Sequence, residues 1–547
     1  MGLRSTHLAS MEGGHFDVFV IGGGINGAVS AAALAGRGAR VALVDRGDFA
    51  SFTSQESSNL VWGGFKYLEN YEIPLVRKLC LSRNRLMDAY PTNIREIGFL
   101  ASLDQTSPHP PWLGALGSFA YWAIGNFKTQ RPRMLGSRTI EAEEPLVDTT
   151  NVRGGIEYFD AYLEDNDARF VFSFVRRAMD AGAVVANYVE ASSARWVGGH
   201  GEEGRWIIDL VDLISGETVR CTADTMVNAA GPFVDGLNHG WDNPTDHRIV
   251  FSKGIHLVVR RLTENHRVLA FFDDTQRLFY VIPMGGRSLI GTTDTRTGDP
   301  LSTVTAADRE FLLSQINARL DLDGPLRVDD IIAERSGVRP LVVPRDGNDQ
   351  EDTDWTALSR KHEIEVNTEQ RIVTVFGGKL TDCLNVGEEV AAAIKRLGVS
   401  LEPDRHDWYG EPAAATHEEF MRQARLSGVD DLQLATMHEP PSQRLWRRYG
   451  HRAFAMLEAI REDPSMAEDV MEGTDYMRVE LHLAAHTEMI TKLDDFLRRR
   501  SKVSQVISQD ALRSSADLVE VATVLFGSSA DEKLAEYFQL EDYEVKQ

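Results

Sequence analysis

The chain has 547 residues, 43% of them hydrophobic, so it can bury more than one core and is expected to form two or three domains. Its 82 Asp and Glu residues outnumber 58 Lys and Arg residues, and the resulting net charge of -24 opposes long-range attraction to nucleic acid or to anionic lipid. Three widely spaced cysteines, without CxxC spacing or a histidine partner pattern, indicate neither a disulfide framework nor a metal site and favour a reducing, cytoplasmic compartment.

Two segments of the chain are candidates for targeting or membrane contact. Residues 1–14 lack the apolar core of a secretory signal, and we expect them to form a flexible tail. The most apolar stretch, residues 112–127, is shorter than the roughly 18 residues that a spanning helix needs. We therefore expect no membrane span. Packing of this stretch inside a domain is the favoured interpretation, and contact with a membrane surface is the alternative.

The segment from Phe16 predicts a strand, a helix and a second strand, which is a dinucleotide-binding βαβ unit. Gly22, Gly24 and Gly27 form GxGxxG: the first makes a tight turn, the second lets backbone approach a pyrophosphate, and the third allows close packing of helix and strand. The phosphates would lie at the helix N-terminus. Asp45 ends the second strand at the spacing of a carboxylate that binds ribose hydroxyls, and it would repel a 2′-phosphate.

The choice between FAD and NAD depends on the rest of the chain. A single fingerprint at the N-terminus of a long chain, with no second such unit, favours one tightly held flavin over a dissociable nicotinamide. Composition alone leaves the choice open.

Residues 51–69, SFTSQESSNLVWGGFKYLE, resemble the TSSxSSKLIHGGLRYLE pattern of the FAD-dependent glycerol-3-phosphate dehydrogenases, which belong to the D-amino-acid-oxidase-like flavoproteins. Similar motifs follow in the family's order: Tyr158 with Asp160 and the DNDAR run to Arg169, VNAAGPFVD from Val227, SKGIHLVV from Ser252, FYVIPMGGRSLIGTTDT from Phe279, SGVRPLV from Ser336, FGGKLTD from Phe376 and EMITKLDDFLRRR from Glu488. The resemblance covers nearly the whole chain after the tail. It implies an α/β fold, in which a Rossmann-like FAD-binding domain is interleaved with a substrate domain built on a mixed or antiparallel sheet.

The domain boundaries follow from the resemblance and from the segment patterns. We expect residues 15–75, 150–235 and 330–400 to form the discontinuous FAD-binding domain, and residues 76–149 and 236–329 to form the substrate-binding domain. A stretch rich in Pro, Asp and Gly around residues 402–415 marks a linker. Amphipathic patterns then predict an all-helical C-terminal domain, residues 416–547. Within it, Arg498 to Arg500 are interpreted as a solvated helix end, with contact to an anionic membrane as the alternative.

The resemblance also implies which residues bind FAD and substrate. The FAD contacts would be the fingerprint residues together with Ser57, Ser58, Gly231, Gly378, Leu380 and Thr381. Arg339 and Lys379 would hold the substrate beside the flavin, with Lys66 and Tyr67 on the opposite wall, because a phosphate requires cations around it. For Arg339 and Lys379, pairing with surface carboxylates is the alternative.

Two positions depart from the family pattern. Trp62 stands where the family has histidine, and Lys66 stands where it has arginine. Tryptophan cannot accept a proton, so another group must serve as the base if the histidine does so in the relatives. His256 is one candidate, with a structural role, which is commoner for a lone histidine on a strand, as the alternative. Lysine keeps the charge of arginine but loses its bidentate fork.

The resemblance implies oxidation of glycerol 3-phosphate to dihydroxyacetone phosphate, with hydride transfer to flavin N5 and electrons passed to a quinone. A dehydrogenase or oxidase of another polyol phosphate or hydroxy compound is the alternative, as is a flavin-binding protein with altered catalysis. The expected partners are a small polyol phosphate and an electron acceptor, without nucleic acid. Peripheral contact with the inner face of the cell membrane and a homodimer stay open.

Overall fold

The computed structural model of the chain describes residues 2–105, 107–198, 204–345, 361–402, 408–432 and 439–545. Its helices are α1 (Leu3–Met11), α2 (Ile25–Ala35), α3 (Ile73–Ala89), α4 (Pro111–Ile124), α5 (Ser137–Glu143), α6 (Asp167–Asp180), α7 (Val234–Gly240), α8 (Ala306–Asn317), α9 (Cys383–Arg396), α10 (Ala414–Ser427), α11 (Pro441–Tyr449), α12 (Ala453–Glu462), α13 (Arg478–Thr487), α14 (Val503–Val506), α15 (Gln509–Ser514), α16 (Ala516–Phe526) and α17 (Ala530–Val545). Its strands are β1 (His15–Ile21), β2 (Val41–Val44), β3 (Leu60–Val61), β4 (Ile94–Asp104), β5 (Arg133–Leu135), β6 (Val152–Leu163), β7 (Val184–Ala186), β8 (Val189–Val197), β9 (Arg205–Asp212), β10 (Thr218–Asn228), β11 (His247–Arg260), β12 (Arg267–Phe272), β13 (Leu278–Met284), β14 (Arg287–Gly291), β15 (Thr295–Thr297), β16 (Ala333–Pro344), β17 (Glu363–Asn367) and β18 (Ile372–Phe376).

The first sheet is a Rossmann-like sheet of eight strands. Strands β18, β10, β1, β2 and β7 run parallel in that order, and α2 connects β1 to β2. The continuous apolar run of β2 is buried throughout, as parallel strands covered on both faces require. Helices α2, α6 and α9 pack together on one face, while α1 and the antiparallel strands β8 and β9 contribute to the core on the other. The predicted βαβ unit is therefore confirmed.

The second sheet has ten strands and is mixed, as predicted. Most of its pairs are antiparallel, and β4 with β12 is a parallel pair. Strand β16 pairs with β11 over twelve residues, which makes this the longest ladder beside the site described below. Strands β3, β6 and β16 belong to this sheet although their residues fall in ranges assigned to the FAD-binding domain. The ranges 150–235 and 330–400 thus each contribute strands to both sheets.

The N-terminal residues differ from the expected flexible tail. They form α1, whose Met11 is fully buried. Arg4 pairs with Asp212 at 2.5 Å, and the Val185 N–H donates to His7 Nδ1 at 2.9 Å. Leu8 and Met11 lie on one face of the helix, and their burial against the first sheet holds the segment in place.

The apolar stretch from residue 112 forms α4 but is not packed inside a domain as favoured from the sequence. Ser118 and Tyr121 are buried, whereas Trp112 and Leu116 are 63% and 62% exposed. The helix thus buries one face and leaves a second apolar face at the surface. No helix among the described residues is long and apolar enough to cross a membrane.

The described residues after 408 form helices and no strand, so the helical C-terminal region is confirmed. The interpretation of Arg498 to Arg500 as a solvated helix end is wrong. All three side chains are buried, and Arg500 contacts both oxygens of Asp48, at 2.7 and 2.9 Å. Arg499 lies 2.7 Å from Asp48 and 2.8 Å from Asp495. These ion pairs attach the helical region to the first sheet.

Candidate functional site

A cavity lies where β1 ends and α2 begins, and Gly22 and Gly24 line it. A Cβ on Gly22 would lie 2.5 Å from the Ala229 carbonyl oxygen. A Cβ on Gly27 would lie 1.7 Å from the Gly22 carbonyl oxygen, so Gly27 packs the helix against the turn rather than lining the cavity. The three glycines therefore have the separate roles that the fingerprint predicts: turn, open approach and close packing.

Two polar side chains frame the first part of this cavity. Asp45 accepts hydrogen bonds from the Gly23 N–H at 2.6 Å and from the Gly47 N–H at 2.7 Å. Burial raises the pKa of Asp45 to about 6, and these two backbone donors oppose the rise. Asn26 donates from Nδ2 to the Gly377 carbonyl at 2.8 Å, while its buried Oδ1 has no partner among the described residues. Both side chains thus keep unused acceptor capacity.

Two turns from distant parts of the chain form further walls of the cavity. Residues 229–233, after β10, form one of its walls, and Gly377 and Gly378, after β18, form another. Gly231 and Gly378 have φ of 55° and 109°, the left-handed region that glycine adopts without strain. A Cβ on Gly231 would meet nothing within 4 Å, so this turn leaves open space beside the cavity.

Four predicted FAD contacts do not line the cavity in the structure: Ser57, Ser58, Leu380 and Thr381. Ser57 donates from its N–H and Oγ to Asp167, at 2.9 and 2.8 Å. Thr381 Oγ1 donates to the Trp62 carbonyl at 3.3 Å. Residues 51–54 line the cavity instead, because the short 3₁₀ helix Phe52–Gln55 turns the chain before it reaches Ser57.

These residues fit FAD. A glycine turn at a helix start, an acidic side chain at the next strand end and an unpaired buried amide oxygen suit a pyrophosphate, a ribose and polar ring atoms. Sequence reasoning missed Asn26 and residues 51–54, although Asn26 lies within the glycine fingerprint itself. Residues 51–54 could have been found from the segment 51–69, which resembles the family pattern. Only Ser57 and Ser58 of that segment were assigned to FAD.

Arg339 and His256 lie on one face of the β11–β16 ladder, and Pro340, next to Arg339, lines the cavity. Ser252 pairs with Arg339 and His256 pairs with Arg335, so all four side chains point to the same face. Gly254 lies between Ser252 and His256, and a Cβ there would lie 2.1 Å from Arg339 Nη2. The glycine of the SKGIH motif therefore makes room for the guanidinium.

Polar groups hold Arg339 in this position. Its Nη2 donates to Thr292 Oγ1 at 2.8 Å, and its Nη1 lies 3.5 Å from Asp294. The pairing carboxylate is itself only 17% exposed, so it belongs to the site rather than to the protein surface. Arg339 is thus neither an isolated cation nor a surface ion pair.

His256 is buried, and neither ring nitrogen has a hydrogen-bond partner among the described residues. A Cβ on Gly291 would lie 2.5 Å from its Cδ2, so a second glycine accommodates the ring. Burial lowers the pKa of His256 well below its ordinary value, and the positive charges of Arg335 and Arg339 lower it further. The imidazole is therefore neutral, and burial and the two arginines oppose its protonation.

Lys379, Tyr67 and Trp62 form a third part of the site. Lys379 Nζ donates to the Tyr67 hydroxyl at 2.5 Å and lies 4.2 Å from the centre of that ring. Tyr67, expected on the wall opposite Lys379, thus contacts it directly. The ring centres of Trp62 and Tyr67 are 5.9 Å apart, and Trp62 does not line the cavity. Lys66 is half-buried and lies on the short helix Phe65–Leu68, which also carries Tyr67. It makes no ion pair with another described side chain.

Sequence reasoning also missed a charged cluster behind the GGKLT turn. His362 lies 3.0 Å from Asp382 and 2.9 Å from Glu389, and both carboxylates raise its pKa against the effect of burial. A Cβ on Gly378 would lie 3.6 Å from the Cβ of His362. The cluster therefore supports the turn that carries Lys379. Its members are ordinary polar residues far apart in the chain, so no local pattern marks it.

Comparison with known proteins adds independent findings. Residues 17–379 match the family model described as FAD dependent oxidoreductase, and residues 413–533 match the C-terminal domain of alpha-glycerophosphate oxidase. The chain is 32% identical over 504 residues to the glycerol-3-phosphate dehydrogenase of Pseudomonas tolaasii, covering 89% of this chain and 92% of that protein. It is 30% identical over 501 residues to the D-erythritol 1-phosphate dehydrogenase of Brucella abortus, covering 89% and 94%. The fold is similar to the crystal structure of the glycerol-3-phosphate dehydrogenase of Bacillus halodurans complexed with FAD, with a TM-score of 0.74 at 23% identity, covering 100% and 98% of the two chains.

Proposed function

Because the chain belongs to the family of FAD-dependent glycerol-3-phosphate dehydrogenases, we propose that it oxidises glycerol 3-phosphate to dihydroxyacetone phosphate. The observation that carries the proposal is the junction of the FAD cavity with the cationic site. Pro340 and Gly378, the chain neighbours of Arg339 and Lys379, both line the cavity. Arg339 and Lys379, which would hold a phosphorylated alcohol, therefore lie next to the cavity that suits FAD.

The roles of the protein side chains follow from their chemistry. FAD, when bound, supplies the redox chemistry by accepting a hydride from the alcohol carbon. Arg339 offers a bidentate fork to the substrate phosphate, and Lys379 offers a point charge. Tyr67 fixes the Lys379 ammonium by accepting its hydrogen bond. His256 is the proposed acceptor of the substrate hydroxyl proton, because its ring nitrogens have no hydrogen-bond partner among the described residues, although its lowered pKa makes it a weak base.

The two departures from the family pattern bear on the choice of substrate. Trp62 is larger than histidine and packs against Tyr67, which favours a three-carbon phosphate over the longer D-erythritol 1-phosphate named for one relative. Lys66 holds a phosphate without the directional fork of arginine, so we expect weaker discrimination between phosphate esters than an arginine gives. D-Erythritol 1-phosphate is the second candidate substrate.

The proposal extends to the electron acceptor, a quinone reached at the membrane surface. It is supported by the apolar face of α4, on which Trp112, Leu113 and Leu116 are exposed. Lipid vesicles should bind the protein, and a Leu116→Asp variant should lose this binding while keeping its activity toward a soluble dye. If the variant and the parent bind vesicles equally, the apolar face of α4 is not the membrane-binding surface.

A dye-reduction assay with FAD-loaded protein tests the proposed activity. Glycerol 3-phosphate should give the highest kcat/KM, D-erythritol 1-phosphate a lower value, and unphosphorylated glycerol no measurable reduction. Failure of glycerol 3-phosphate to reduce the dye would refute the proposal. Steady release of peroxide without dye would instead identify oxygen as the acceptor and the protein as an oxidase.

A further inference from the structure

The segment of residues 51–54 lines the FAD cavity, and its own structure does little to hold it there. Its only helical unit is the short 3₁₀ helix Phe52–Gln55. Ala50 and Phe52 have φ of 66° and 59°, a left-handed conformation that costs energy in residues other than glycine. Ser51 has a buried Oγ without a partner among the described residues. Contacts from outside the segment must therefore stabilise the conformation that faces the cofactor.

The middle of this segment bonds to the elements that surround the cavity. Thr53 Oγ1 donates to the Val338 carbonyl on β16 at 2.7 Å, and Ser54 Oγ accepts from the Ile25 N–H at the start of α2 at 3.0 Å. These two bonds fix the side of the segment that faces the cavity. They leave its two ends to be held by other partners.

Both ends of the segment are held by the arginine run, Arg498 to Arg500, of the C-terminal region. Before the segment, Asp48 accepts hydrogen bonds from Arg499 and Arg500, as described above. After it, Arg498 Nη2 donates to the Gln55 carbonyl and lies 3.3 Å from Glu56. Arg499 Nη1 also donates to Gln55 Oε1, at 3.0 Å. Three consecutive side chains thus bridge the part of the chain that lines the cavity.

The arginine run is itself fixed in position. It lies in the π-helix Asp495–Arg500, a rare geometry that is frequent at functional sites. The Asn166 side chain, which caps α6, donates to the Arg498 carbonyl at 2.6 Å. All three arginine side chains are buried, so their hydrogen bonds are little weakened by water. The proposed function assigns no role to this run.

We propose that the arginine run positions the FAD-binding segment, so that docking of the C-terminal helices and FAD binding strengthen each other. Arg498 acts as a positioning residue, because it contacts the end of the segment and not the cavity itself. If docking of the run increases the affinity for FAD, then bound FAD stabilises the docked position by the same factor. The inference depends on FAD binding and not on which alcohol is oxidised.

Dilution of the flavin-loaded, full-length protein tests this role, because the fluorescence of released FAD gives its Kd without any substrate. Arg498→Gln should raise the Kd for FAD by about 10-fold or more, since a buried charge-assisted hydrogen bond is lost. Gln55→Ala removes only the bond to Arg499 and should raise it by about 3-fold. Arg498→Lys keeps one charged donor and should fall between Arg498→Gln and the parent.

Arg444→Gln is the matched control for a general loss of stability. Arg444 is a buried arginine of the C-terminal region that pairs with Glu480 at 2.9 Å, inside that region. This variant should lower the urea midpoint of unfolding and leave the Kd for FAD unchanged. A structural role alone would not separate these two measurements.

Two outcomes would overturn the proposal. One is an unchanged Kd for FAD in both Arg498→Gln and Gln55→Ala. The other is a Kd that rises as much in Arg444→Gln as in Arg498→Gln, which would show that any loosening of the C-terminal region releases the flavin. If Arg498→Gln fails to fold, the partly exposed position of Gln55→Ala decides alone. Dye reduction by glycerol 3-phosphate is measured on the same samples, so failure of the proposed activity is seen separately.

Discussion

Lys379 and Tyr67 are 312 residues apart in the chain, yet the lysine ammonium donates a hydrogen bond to the tyrosine hydroxyl at 2.5 Å. The bond joins the turn after β18 to the short helix Phe65–Leu68. Gly378, next to Lys379, lines the FAD cavity. The pair therefore fixes a cation beside this cavity, where the proposed function puts the substrate next to the cofactor.

Replacing Lys379 by methionine should lower kcat/KM for glycerol 3-phosphate by about 100-fold, because a charge that holds the substrate phosphate is lost. Tyr67→Phe removes only the hydrogen bond and should cost about 10-fold. Lys395→Met, at an exposed position of α9, is the control and should have no effect. Dye reduction measures all three. Unchanged kcat/KM in Lys379→Met would remove this residue from the site.

Gly254→Ala should displace the Arg339 guanidinium while leaving residue 339 itself unmutated. The new Cβ would lie 2.1 Å from Arg339 Nη2, so the guanidinium must move away from Thr292 and Asp294. We expect KM for glycerol 3-phosphate to rise about 10-fold or more, with the flavin content unchanged. Gly236→Ala, in α7, adds a methyl group where nothing lies within 4 Å and is the matched control. Equal KM values in the two variants would contradict the assigned position of Arg339.

The lowered pKa of His256 gives the free energy of unfolding a defined dependence on pH. Below about pH 6.5 the unfolded chain protonates this histidine while the folded protein does not, so stability falls as the pH falls. His256→Gln cannot bind the proton and should lose less stability over this range. Urea unfolding at several pH values measures the difference between the two proteins.

The same variant tests the catalytic role of His256. Loss of the proton acceptor should lower kcat for glycerol 3-phosphate by about 100-fold or more. A His256→Gln variant with full kcat would show that this histidine is only structural. A stability profile parallel to that of the parent below pH 6.5 would show that the ring is charged in the folded protein.

Asp48→Asn should destabilise the contact between the first sheet and the C-terminal helices. Asp48 is fully buried and shared by Arg499 and Arg500, so its loss leaves two buried guanidinium groups short of a partner. We expect a loss of about 3–5 kcal/mol in the free energy of unfolding. Asp17→Asn, which breaks a partly exposed pair with Arg40, should cost at most about 1 kcal/mol. Similar unfolding midpoints for both variants would show that Asp48 does not stabilise the contact between the first sheet and the C-terminal helices.

The parts of the molecule that could be predicted from the sequence are local. The strand, glycine turn and helix around Gly22 lie within one short segment, so their spacing alone indicates a dinucleotide site. The mixed second sheet and the helical C-terminal region could also be predicted, the first from the family resemblance and the second from helical periodicity. Arg339 and Lys379 were identified by resemblance, and the structure places their chain neighbours on one cavity.

The errors concern contacts between distant parts of the chain. A run of arginines is typical of a solvated helix C-terminus, whereas the partner of Arg500, Asp48, lies 452 residues earlier in the chain. The role of Gly254 depends on Arg339, which only the β11–β16 ladder brings beside it. The exposed face of α4 has the composition of a core helix. Its sequence does not specify whether a neighbouring element covers it, so the exposure could not be predicted.

Anaerobic titration of the flavin-loaded protein with glycerol 3-phosphate tests the central claim most directly, because it needs neither a dye nor a membrane. The account predicts that the yellow colour of the flavin is lost on adding substrate and returns on adding an electron acceptor. A protein that takes up no flavin, or a bound flavin whose absorbance glycerol 3-phosphate leaves unchanged, would contradict it.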